Sequence, residues 1–124
     1  MDLTELAECV RQNPDDITTE VMFLDWFGVS PSYEMSFLKT DKRTALSMLY
    51  HSGIFNEWQT DVGSCFECTH FELNGLSYQL SVMIYNHHQT CRYRVRLIFH
   101  PLVKYVQYGD NLVKLLVDMF KSEF

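Results

Sequence analysis

Hydrophobic positions recur at helical intervals through the first fifty residues and at alternate positions from about residue 65 to residue 99, so the chain reads as a helical front followed by a sheet-forming centre. Leu3, Leu6, Ala7 and Val10 mark a short amphipathic helix, with Asp2 and Glu5 to satisfy its first turn. Asn13-Pro14-Asp15-Asp16 has the make-up of a second helix start: a capping Asn, a Pro at the first position and two carboxylates at the positive end of the dipole. Ile17, Val21 and Leu24 extend that face and Gly28 can end it. VMFLDWF is apolar nearly all round, however, and residues 17–27 fit a buried strand as well as a helix. Ser30-Pro31 repeats the capping logic for a brief helix to Leu38. A further helix from about Asp41 buries Ala45, Leu46, Met48 and Leu49 and stops at Gly53.

Beyond Gly53 the period changes. Residues 54–63 read as a connection held by Ile54, Phe55 and Trp58, and alternation begins at Cys65. Asn74-Gly75 between Leu73 and Leu76 predicts a two-residue hairpin, because both residues tolerate the positive φ of a type I′ turn. The following strand then places Leu76, Tyr78, Leu80, Val82 and Ile84 on one face and Ser77, Gln79, Ser81, Met83 and Tyr85 on the other. CRYRVRLIF turns Cys91, Tyr93, Val95, Leu97 and Phe99 inward and Arg92, Arg94 and Arg96 outward, and Pro101 ends it. From Asp110, the positions Leu112, Leu115, Leu116, Met119 and Phe120 describe a closing amphipathic helix on the apolar side of the sheet. The expectation is a single α+β domain over residues 1–124: N-terminal helices, a three-stranded antiparallel β-meander and a C-terminal amphipathic helix.

Composition agrees with one core, since 124 residues at 47% hydrophobic content suffice for one and not for two. No apolar run approaches the roughly 18 residues that a membrane span needs, and the acidic start MDLTELAECV is unlike a secretory signal. A cytoplasmic protein with Cys9, Cys65, Cys68 and Cys91 reduced is therefore expected. Charge adds more. Residues 1–37 carry eight carboxylates against Arg11 alone, a net −7, whereas residues 38–124 carry eight acids and nine bases, so the whole −6 resides in the front of the chain. That field repels phosphate backbones and attracts basic surfaces.

FGVSPSYEMSFLK, residues 27–39, resembles the turn and second helix of the helix-turn-helix family, with Phe23 and Phe27 before the turn, Gly28 at it, Val29 just after it and Phe37 on the second helix. The resemblance covers residues 20–39 and implies a DNA-binding regulator. Leu24 stands where that family carries a small residue, and Glu34 where a buried aliphatic packs. Residues 30–38 also lack the Arg, Lys, Asn and Gln that read bases and anchor phosphates.

Two further chemistries are written in the residue types. Cys65-x2-Cys68 followed by His88-x2-Cys91 has the spacing of a small zinc site, but on a continuous strand Cys65 and Cys68 point to opposite faces. Cys68 and His70 share a strand face, as a thiolate–imidazole pair would, yet nothing Gly-rich nearby suggests an oxyanion hole or a phosphate cradle. No catalytic residue, cofactor or metal is assigned.

There remains the outer sheet face, where Tyr85 would pair with Arg92, Met83 with Arg94 and Ser81 with Arg96, beside Phe66, Cys68, His70 and Glu72. Arg, Tyr, Met and Phe together are the composition of a protein interface. The expectation is a non-catalytic protein-binding module of the small acidic inhibitor, immunity or anti-defence kind. Asp15, Asp16, Glu20 and Asp25 would occupy a basic surface of a partner protein in the manner of a nucleic-acid mimic, and Phe66, His70, Met83, Tyr85, Arg92, Arg94 and Arg96 would supply contact area. The sheet face or a sheet edge also offers a route to a homodimer.

Overall fold

The computed structural model describes residues 42–73, 75–86 and 92–123, together with Glu8, Val10 and Gln12, which are helical. The capped starts at Asn13 and Ser30 and the helix-turn-helix resemblance at 20–39 lie outside these residues. Described elements run in the order α1 (Lys42–Ser52), β1 (Asn56–Thr60), β2 (Gly63–Leu73), β3 (Leu76–Tyr85), β4 (Tyr93–Phe99), β5 (Leu102–Gly109) and α2 (Leu112–Glu123). No helix among the described residues is long and apolar enough to cross a membrane.

The α+β class and the antiparallel sheet hold, but the three-stranded meander does not. Among the described residues five strands pair in the order β1-β2-β3-β4-β5, every neighbour antiparallel. β1, read from sequence as a connection, is the polar run NEWQT, exposed over most of its length, so it shows none of the alternation that marks a half-buried strand. β5 was hidden by Pro101. The proline does end β4, but the turn it forms with His100, across a cis peptide bond, leads straight back into another strand.

The inner three strands follow the expected register. Leu73 opposes Leu76 across the hairpin, and Gly75 takes the positive φ of 77° that the turn requires. Ser81 opposes Arg96 and Met83 opposes Arg94. Leu80, Val82 and Ile84 on β3 and Tyr93, Val95 and Leu97 on β4 are buried in one cluster with Phe66, Cys68 and Phe71 of β2. A bulge between Cys68 and Phe71 admits one extra residue, so Phe71 opposes Tyr78 and remains on the core side.

Among the described residues, α1, α2 and the helical Val10 complete this cluster. Ala45, Met48 and Leu49 of α1 are fully buried, and Tyr50 at its rim meets Phe66 edge-on, with ring centres 5.5 Å apart. α2 packs on β4 and β5 through Leu112, Leu115, Leu116, Met119 and Phe120. Phe120 reaches Phe71 with ring centres 5.8 Å apart at 82°, an edge-to-face contact that ties the last helix to β2. Asn111 starts α2 as its cap, accepting a hydrogen bond from the Lys114 amide at 3.1 Å. Each large apolar side chain so buried contributes roughly 1.5–3 kcal/mol, and together they fix which side of the sheet faces this core.

Candidate functional site

The cross-strand register defines the opposite face row by row. One row runs Trp58, Cys65, Met83, Arg94, Tyr108 across all five strands; the next runs Asn56, Glu67, Ser81, Arg96, Val106; a third joins Gln79, Ile98 and Val103. Its ends are open, with Trp58 45% exposed on β1 and Tyr108 54% and Val106 42% exposed on β5. Its centre is closed. Met83 is 7% exposed, and Cys65 and Ser81 are buried.

A small polar network fills that centre. Glu67 accepts a short hydrogen bond from the Gln79 amide, and the Cys65 thiol lies 3.8 Å from Glu67 Oε1 and 3.9 Å from Ser81 Oγ. Burial pushes the Cys65 thiol above its ordinary value of 9.0, against the lowering contributed by the Ser81 hydroxyl and the Arg94 charge. A protonated, sheltered thiol is a poor nucleophile.

Arg94 and Arg96 stand beside this network on β4, half-buried. Each has its Nε buried with no hydrogen-bond partner among the described residues, an arrangement that costs about 1–3 kcal/mol per donor. Arg92 continues the row at the open end of β4, where Tyr85 donates its amide to the Arg92 carbonyl at 2.9 Å. Successive arginines on one strand face stand roughly 7 Å apart.

Of the residues assigned from sequence, Met83, Tyr85, Arg92, Arg94 and Arg96 therefore come together on this face, with Met83 beneath it rather than on it. Phe66 does not belong to it. It opposes Val82 and is 1% exposed in the core, because β2 pairs with β3 so that Cys65 and Glu67, and not Phe66 and Cys68, share the face of Met83 and Ser81. His70 falls within the bulge of β2. Asp15, Asp16, Glu20 and Asp25 lie outside the described residues. Trp58, Val106 and Tyr108 were missed because their strands were missed. The aromatic and β-branched content of LVKYVQYG was the available signal for β5.

The other chemistries find less support. Cys65 lies on the outer face and Cys68 in the core, as alternation requires, while His88 and Cys91 lie outside the described residues. Among the described residues no cluster of metal-ligating side chains forms. An open groove of about 500 Å³ lies between β5 and the start of α2, lined by Tyr105, Gln107, Asn111, Lys114 and Asp118. Three of its polar residues help to hold the helix, Asn111 as cap and Lys114 with Asp118 as a 3.8 Å ion pair. Comparison with models of protein families, with curated proteins and with solved structures finds no match to this chain.

Proposed function

We propose that this protein is a non-catalytic protein-binding module that contacts its partner through the outer face of the sheet. One observation carries the reading: the row Trp58, Cys65, Met83, Arg94, Tyr108, in which exposed aromatic ends and an under-satisfied guanidinium flank a sheltered apolar centre. Trp, Tyr and Arg are the side chains that supply most binding energy at interfaces, and a guanidinium pairs well with a partner's carboxylates or carbonyls. The acidic excess of residues 1–37 supports a partner that also presents a basic surface, drawn in by long-range attraction. Such a pairing suits a small inhibitor, immunity or anti-defence protein acting by occupation.

The test is affinity capture from cell extract with wild type, Trp58→Ala, Arg94→Glu and Tyr108→Ala, each checked for native circular dichroism. A partner held by wild type and lost by the three variants, each at a cost of about 2 kcal/mol, supports the reading. A partner held equally by all four removes this face from it. Reversal of Asp15, Asp16 and Glu20 to Lys tests the acidic contribution separately. A duplex-DNA shift that Arg92→Ala, Arg94→Ala and Arg96→Ala abolish would favour DNA binding instead.

A further inference from the structure

Exposed apolar side chains gather on the outer side of β5. Val103, Val106 and Tyr108 are 54%, 42% and 54% exposed, and the register sets them beside Ile98, Arg96 and Arg94 of β4. Two columns result: Arg94, Arg96 and Ile98 on one strand, Tyr108, Val106 and Val103 on the other. They extend about 14 Å along the strands, with the two arginines about 7 Å apart, which is the footprint of a single chain segment. Exposed apolar surface rimmed by polar groups marks a docking site. Its charge is local. Glu67, the carboxylate in the same rows, stands two strands from Arg96 and is bonded to Gln79, so β4 and β5 present a positive field although the chain carries −6.

We propose that this strip of β4 and β5 holds an acidic amphipathic segment of the partner, its carboxylates on Arg94 and Arg96 and its apolar side chains on Val103, Val106 and Tyr108. The inference rests on the protein-binding reading of the outer face and adds the chemistry of what sits there. Charge complementarity selects the occupant. A second copy laid face to face would bring two more arginines onto these two. A single-stranded nucleic acid has phosphates for the guanidinium groups, but its bases bind by stacking on rings, and Ile98, Val103 and Val106 offer none. An acidic amphipathic segment uses both columns, since a carboxylate matches the guanidinium fork and apolar side chains cover the aliphatic strip. The arginines are also prepared for it. Both are half-buried on a strand paired on either side, so little rotamer freedom is lost when a carboxylate arrives. This segment is distinct from the basic surface that the acid-rich residues 1–37 would attract.

A display library of random short peptides, selected on the whole chain, tests this. Enriched peptides are expected to combine Asp or Glu with apolar residues and to lose affinity as salt is raised. They should bind the double variant Arg94→Gln with Arg96→Gln about tenfold more weakly, and Val106→Ser more weakly as well. Trp58→Ala, three strands away on β1, should bind them like wild type. The salt titration is made on wild type and stands even if the double variant folds poorly. Basic or uncharged peptides that still lose affinity for Tyr108→Ala would overturn this inference and leave the outer face as a binding surface. Peptides indifferent to Arg94, Arg96, Val106 and Tyr108 count against both readings. If no peptide is enriched, this inference fails, and affinity capture with Trp58→Ala decides the broader one. Oligothymidylate binding lost with the arginines, or a wild-type dimer that Tyr108→Glu dissociates, would give the strip to a nucleic acid or to a second copy and likewise overturn the proposal.

Discussion

At the scale of single residues, the tightest constraint lies at Gly63, where β2 begins. A Cβ there would collide with the Ile84 carbonyl on β3, a backbone group that cannot move without disturbing the pairing of Gly63 with Tyr85. Gly63→Ala is therefore expected to lower unfolding free energy by about 2 kcal/mol or more in a denaturant titration, whereas Gly53→Ala meets no neighbour and is penalised only through its positive φ of 68°. Residue identity alone could not separate these two glycines. Gly53 announced itself as a helix stop, while the cost at Gly63 depends on Ile84, 21 positions further along the chain, and no local pattern records it.

Elements were legible where one face is wet and the other dry. β3, β4 and the hairpin at Gly75 were readable because alternation and turn chemistry point the same way, and α2 because its apolar stripe is bounded by Asn111. β1 and β5 were not, for opposite reasons: β1 buries nothing and so carries no pattern, while β5 shows its apolar residues to solvent and follows a proline that reads as a terminus. The same edge status cost the candidate site its Trp58 and Tyr108. Phe66 was misplaced because the face of β2 was assigned by composition, whereas pairing with Val82 decides it. Helix α2 offers a prediction at this scale. Asn111→Ala removes the acceptor for the Lys114 amide and should cost about 1 kcal/mol, read as a lower melting temperature with the sheet signal intact.

For the whole molecule, the buried Cys65 and the half-buried Tyr105 link stability to pH. Burial raises Cys65 above 9.0 and is the first cause raising Tyr105 above 10.0, so the folded chain retains protons that the unfolded chain releases. Their contribution is complete below about pH 9 and is lost as pH rises through the folded values. Denaturant midpoints should be level across neutral pH and fall above it, and Cys65→Ala should flatten the first part of that decline; a rise in stability with alkali would contradict the assignment. The bulge in β2 has a different consequence for the molecule. Cys68 opposes Leu80 and Phe71 opposes Tyr78, three steps on one strand against two on the other, so this stretch is one amino acid longer than its ladder requires. Deleting Thr69 would leave Phe66, Cys68 and Phe71 spaced as a regular strand with their partners unchanged. The chain should accept that shortening and still melt cooperatively, with a straighter strand, whereas an equal deletion at Val82 would send every later side chain of β3 to the wrong side.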